Sequence, residues 1–355
     1  MPNKKIHILF LLLVICTAWI TTDRFAFKPK PVKFEIPKGW PQPVYDFTKN
    51  PLTQEGILLG KTIFYDPQIS KDGTISCGSC HQQFGAFNTY DHTLSHGLEN
   101  MLTTRNAPAL FNLAWQKEFM WDGGINHLDL QFLAPLTAHN EMGETIDQVI
   151  TKMKASPQYK KMFKAAFGDE IISTERIGKA LSQFLLTLVS SNSKYDKVKR
   201  GEANFNLPES LGYEIFKQKC INCHTEPLFT DFSYRDIGIP EDTYLKDKGR
   251  MKITGLSTDS LKFRVPSLRN VAISFPYGHD GRFYSLMNVF EHYRRNMVVT
   301  KNTDPVLQNK LPLSNYEIGQ LKAFLGTLTD SVFLQDNRFA PPGINDGKPP
   351  IDNHQ

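Results

Sequence analysis

Cys77-Gly78-Ser79-Cys80-His81 and Cys220-Ile221-Asn222-Cys223-His224 are the stretches on which the reading of this chain turns. In a C-x-x-C-H segment the two thiols add to the vinyl groups of a haem and the histidine binds its iron, which fixes the macrocycle beside the chain. Four of the five cysteines fall in these two pairs, which leaves none for a disulfide framework. A zinc site would want a fourth ligand at suitable spacing. A thioredoxin-like redox pair would not need a histidine directly after both pairs. The sequence therefore implies two covalent c-type haems, held by Cys77, Cys80, Cys220 and Cys223, with His81 and His224 as proximal iron ligands. What sits on the other face of each iron decides function: a sixth protein ligand makes an electron carrier and an open face makes a catalyst. Spacing alone does not choose between them.

Working outward, each motif follows a helical pattern. Leu52 to Phe64 carries apolar residues at Leu52, Leu59, Ile63 and Phe64, and Asp66-Pro67 ends it. Gly60-Lys61-Thr62-Ile63-Phe64 is echoed by Gly212-Tyr213-Glu214-Ile215-Phe216 ahead of the second motif, so one domain type occurs twice. Thr145-Ile146-Asp147-Gln148 predicts a capping box, Ser173 or Thr174 starts a helix through Leu188, and Ser314-Asn315-Tyr316-Glu317 caps a closing helix through Leu328. No stretch alternates as a strand. The expected fold is mainly α, with a Pro-rich extended linker or strap over 21–50. One helical domain then spans 51–200, a second spans 201–335, and residues 336–355 form a flexible tail. The polar run 190–206 reads as the inter-domain connection.

Lys and Arg are scattered and the net charge is only +5, which argues against nucleic acid as a partner. Lys4 and Lys5 followed by an apolar run from Ile6 to Ile20 read as an export signal, too short for an ordinary membrane span. Cleavage after Ala18, lipidation at Cys16 (disfavoured by the bulky Ile15 before it) and retention as an N-terminal membrane anchor are the alternatives. All three put the body in the periplasm, where haem attachment also takes place.

From about Leu52 to Leu328 the chain resembles the bacterial di-haem cytochrome c peroxidases and the related MauG-type enzymes. The blocks that carry the resemblance are Gly56 to Asp66, Thr104 to Asn112, Trp121-Asp122-Gly123, Arg264 to Asn270 and Pro276 to Gly281. It implies two cytochrome c-like domains, each wrapped around one haem, the first handling peroxide and the second passing electrons. It also implies that Glu141 is the acid–base group over the first haem, with Gln131 and Pro135 at the spacing of the MauG-type distal pocket. Trp121 becomes the tryptophan that relays electrons between the haems. His96, on the loop after the first motif, becomes a distal ligand that leaves when the second haem is reduced, with His92 as its competitor. For the second iron, Tyr293 falls where many peroxidases have methionine, as in the MauG-type enzymes, and Met297 is the alternative one turn on. Calcium between the domains would take the Asn106 side chain and the carbonyls of Ser274 and Pro276.

Three functions follow. The first is a peroxidase that reduces hydrogen peroxide to water with electrons from a small periplasmic cytochrome c or cupredoxin. The second is a MauG-type oxidase that uses peroxide to oxidise a protein residue through high-valent iron. The third is a plain di-haem electron-transfer cytochrome. Tyr293 favours the second, His96 favours the first, and Glu141 with its block argues against the third. A homodimer is a further implication of the resemblance.

Overall fold

The computed structural model describes residues 28–343; the export signal, Cys16 and the last part of the tail lie outside the described residues. The helices of six residues or more are α1 (Gln54–Tyr65), α2 (Ile146–Ala155), α3 (Pro157–Phe167), α4 (Thr174–Thr187), α5 (Lys194–Lys199), α6 (Leu207–Lys219), α7 (Leu286–Glu291) and α8 (Asn315–Gly326). Among the described residues, sheet is confined to β1 (Tyr234–Arg235) and β2 (Phe263–Arg264), antiparallel with Tyr234 opposite Arg264. The predicted starts are where the caps are. Ser173 Oγ accepts from the Arg176 amide at 3.3 Å; Thr53, not singled out in the sequence, caps the first helix by accepting from the Gly56 amide at 3.0 Å. Ser314 and Glu317 bond each other's amides. At α2 the cap is only half as predicted. Thr145 accepts from the Gln148 amide, but its own amide donates to Glu144 Oε1 at 2.9 Å, so the return arm comes from Glu144 and not from Gln148.

Two crossed helix pairs build two cores. α1 crosses α4, and α6 crosses α8. At each crossing a glycine lets backbone touch backbone: a Cβ on Gly60 would lie 1.9 Å from the Ala180 carbonyl oxygen, and one on Gly212 would lie 2.0 Å from that of Gln320. One turn past each glycine a phenylalanine fills the core. Phe64 packs on Phe184 and Phe87, and Phe216 packs on Phe324 and Phe229. All six rings are excluded from water, each worth roughly 1.5–3 kcal/mol of burial.

The repeat extends further than the sequence reading had it. Asn112 and Asn270 both take left-handed φ, at 59° and 58°. Their amides donate to the carbonyls of Leu188 (2.8 Å) and Leu328 (3.0 Å), and their side-chain oxygens accept from the amides of Ser190 and Asp330. The two halves meet here, since the Asn270 amide group donates to Ser190 Oγ, which donates to Asp330 Oδ2. Every one of these polar groups is buried and bonded, as a dry junction requires.

Two boundaries differ from expectation. The run 190–206 holds α5, because Tyr195 drops into the second core and Ser193 with Asp196 forms a capping box. The tail does not begin at 336: Phe339 packs on Phe87 and Phe333, and its carbonyl accepts from the Tyr65 hydroxyl at 2.7 Å, so apolar burial holds the chain to that point. In the Pro-rich stretch the strap form is found over residues 28–50. Phe34, Trp40, Tyr45 and Phe47 pack on the first core. Trp40 also lies under the guanidinium of Arg269, which is fully buried and paired with Asp196 at 2.8 Å.

Candidate functional site

Both C-x-x-C-H segments end on a histidine held the same way. His81 Nδ1 donates to the Phe87 carbonyl at 2.9 Å, and His224 Nδ1 donates to the Phe229 carbonyl at 3.1 Å. Phe87 and Phe229 take left-handed φ that turns those carbonyls inward, and both are core phenylalanines of the crossings. A carbonyl can only accept, so Nδ1 carries the proton and the neutral ring presents Nε2 as a lone pair. Burial keeps both rings neutral, pulling His81 down to about 4 and His224 in the same direction. A carbonyl that holds Nδ1 in this way fixes the ring's tautomer and orientation for binding a metal through Nε2. Burial also pushes the Cys77 and Cys220 thiols up to about 12 and raises those of Cys80 and Cys223. None of the four is paired in a disulfide, and among the described residues no three Cys, His, Asp or Glu side chains converge as zinc ligands would.

Behind Cys220, Cys223 and His224 opens a large apolar cavity walled by residues such as Leu268, Val289, Phe290 and Leu325. Its shape and chemistry fit a porphyrin: apolar walls, two thiols at one edge and an imidazole lone pair aimed across it. Tyr293 lines the same cavity. It sits in a π-helical turn, His292–Asn296, that follows α7 directly; such turns re-aim side chains at functional sites. Burial, and then the thiols of Cys223 and Cys220, hold its hydroxyl well above the usual phenol range. Met297 is buried too, but it packs against Gly238 and is not part of the cavity wall. His292 also lines the cavity, but its Nε2 is bonded to the Ile237 carbonyl at 2.8 Å.

Near the first motif, Glu141 lies within electrostatic reach of the Cys80 thiol. Burial alone raises its carboxyl. The turn that carries it is locked to the loop after the first motif. The Leu98 amide donates to the Glu141 carbonyl at 2.7 Å, and a Cβ on Gly97 would fall 2.2 Å from the Asn140 carbonyl oxygen. His96, next to that contact, is exposed, its ring edge-on to His92 with centroids 5.4 Å apart. Gln131 donates to Met120 Sδ at 3.6 Å, beside Trp121. Pro135 is half-buried, and its carbonyl accepts from the Met142 amide next to Glu141.

Trp121 is buried and lines the large cavity from the first-domain side. Its Nε1 donates to the Asn106 carbonyl at 2.8 Å, and its own carbonyl accepts from the Arg264 amide on β2 at 2.8 Å. Asn106 is buried, with its amide on the His279 carbonyl and its side-chain nitrogen on that of Thr93. Asn106, Ser274 and Pro276 line the same cavity, and the Ser274 carbonyl already accepts from Asn88 at 2.9 Å.

Sequence reading missed the clamp that fixes Trp121. Arg105 bonds Asp122 at 2.6 Å and Asp247 at 2.6 Å and 2.9 Å, tying the two domains through a half-buried guanidinium. Arg105 and Asp122 stand inside blocks the resemblance had singled out, but Asp247 lies in a loop with no pattern of its own.

The pattern that defines the family described as di-haem cytochrome c peroxidase matches residues 54–204. The methylamine utilization protein MauG of Methylophilus methylotrophus is 34% identical over 326 residues, 90% of this chain and 94% of that protein. The cytochrome c551 peroxidase of Nitrosomonas europaea is 35% identical over 293 residues, 81% and 84% of the two chains. Among solved structures, a MauG-like protein associated with microbial copper homeostasis superposes with a TM-score of 0.78 at 30% identity, over 88% of this chain and 99% of that one.

Proposed function

This chain belongs to the di-haem cytochrome c peroxidase family, and we propose that it reduces hydrogen peroxide to water with electrons from a small periplasmic cytochrome c or cupredoxin. The observation that carries the reading is Glu141, a half-buried carboxyl with a raised affinity for protons, within electrostatic reach of Cys80 of the first motif. Peroxide cleavage needs a proton moved from the inner oxygen to the outer one, and a carboxylate can accept that proton and then deliver it. When bound, the haems supply the electrons and the iron at which the O–O bond breaks. His81 and His224 hold the irons through Nε2, and the four cysteines hold the macrocycles. Gln131 orients the distal side of the first site, and Trp121 carries electrons between the domains. Tyr293, in preference to Met297, would hold the second iron from the cavity wall. Asn106 with the Ser274 and Pro276 carbonyls would hold calcium, a hard ion suited to oxygen donors. Export and pairing as a homodimer belong to the same proposal; among the described residues no helix is long and apolar enough to cross a membrane.

Tyr293 on the cavity wall and His96 facing solvent favour a second reading, a MauG-type oxidation of a protein substrate. One experiment separates them. Hydrogen peroxide is added to fully ferric and to half-reduced holoprotein, with rapid-scan absorption and peroxide consumption followed together. Reaction of the half-reduced sample alone supports the peroxidase with His96 as gate. Immediate reaction of the ferric sample, with a long-lived spectral change, supports the oxidase. No consumption in either sample refutes both and the role given to Glu141.

A further inference from the structure

Among the described residues the buried Arg269 and the half-buried Arg105 and Arg235 have carboxylate partners, whereas Arg264, also buried, has none. Arg269 is paired with Asp196, Arg105 with Asp122 and Asp247, and Arg235 with Asp231 and Asp304. Arg264 is 7% exposed and belongs to no ion pair among the described residues. Its Nε donates to the Met120 carbonyl at a long 3.4 Å, and its amide donates to the Trp121 carbonyl at 2.8 Å; both acceptors are main chain. Burial pulls the guanidinium down to about 10, which leaves it charged at neutral pH. A buried, unpaired cation is strongly unfavourable, so a site that keeps one has an anion to meet.

The anion has a place to lie. Arg264 lines the apolar cavity behind Cys220, Cys223 and His224. The walls near it offer no carboxylate, and Arg235 is the arginine that reaches the Cys223 thiol. A haem attached at its vinyl edge to Cys220 and Cys223 presents its two propionates at the opposite edge. We propose that Arg264 is the counter-ion of a propionate of the second haem. Its planar fork suits a carboxylate bidentately, and the pairing puts a fixed positive charge between that haem and the backbone of Trp121. The inference rests on the reading that a haem occupies this cavity.

A positive charge beside a haem favours the reduced iron, so its removal lowers the reduction potential. The experiment uses holoprotein of the wild type, Arg264→Gln and Arg264→Lys. Haem content is counted first, then the second-haem potential is measured by spectroelectrochemistry and its propionate bending bands by resonance Raman. Arg264→Gln is expected to keep two haems and to shift the second-haem potential down by at least the equivalent of a tenfold change in its one-electron equilibrium, about 59 mV. Its propionate band should move. Arg264→Lys keeps the charge but loses the fork, so its band should move while most of the potential is retained. Two haems with unchanged bands in both variants would overturn the proposal. If Arg264→Gln does not fold, Arg264→Lys decides it by the band alone. A wild type lacking a second haem would instead refute the reading of the cavity.

Discussion

Replacing Glu141 by glutamine tests the proposed chemistry with the least disturbance of structure. The side chain keeps its shape, and the Leu98 amide still meets the residue 141 carbonyl, since that bond is main chain. What is lost is a titrating group. General acid–base catalysis contributes about 10²–10⁴-fold, or about 3–5 kcal/mol of barrier at 1.36 kcal/mol per tenfold. Peroxide turnover by Glu141→Gln should therefore fall by that factor, with two haems still bound. Stability should move the other way. The only cause acting on this carboxyl is burial, which raises its pKa over the unfolded value. Its favourable contribution is thus present at low pH and is lost as pH rises through the folded pKa. At neutral pH the charged carboxylate is a liability, and the neutral amide relieves it. The assays are steady-state peroxide consumption and thermal unfolding of wild type and variant at neutral and acid pH. Turnover within threefold of wild type would refute the role of Glu141. A variant less stable than wild type at neutral pH would refute the account of its environment.

Alanine at Gly60 should cost at least about 3 kcal/mol, read by chemical denaturation, because a Cβ 1.9 Å from the Ala180 carbonyl oxygen forces the helices of the first crossing apart. Asp247→Asn should cost about 3 kcal/mol by leaving Arg105 half-paired. The Arg105 charge holds the Asp247 carboxyl well below its ordinary 3.8, so this contribution is full above that value and fades as pH falls toward the folded pKa; the wild-type advantage over Asp247→Asn should shrink in acid. Tyr293→Phe should change the absorption and lower-field magnetic resonance signals of the second haem, whereas Met297→Leu should leave them as they are, since Met297 packs on Gly238 away from the cavity.

Local chemistry was legible in the sequence because it is written in short spacings. Two thiols and a histidine within five residues define an attachment site whatever the rest of the chain does. Two helix starts were legible for the same reason: Ser173 and Ser314 bond amides three residues on. The shared Gly-x-x-x-Phe was visible as a repeat, but its meaning was not, because Gly60 and Gly212 matter only through carbonyls more than a hundred residues away. The same holds for Asn112 and Asn270, whose partners lie near Ser190 and Asp330. The tail and the run after Ser190 were misjudged because single aromatics, Phe339 and Tyr195, gain their burial from distant walls.

The sequence by itself determined that this protein carries two haems on two helical units of one design. It put Tyr293 ahead of Met297 only by resemblance, since both stand on one stretch of chain; that Tyr293 lines the cavity and Met297 does not depends on how the chain folds there. It could not set Arg264 apart from the arginines around it. All carry the same charge, and which of them lacks a carboxylate depends on how loops remote in sequence fill the space beside them.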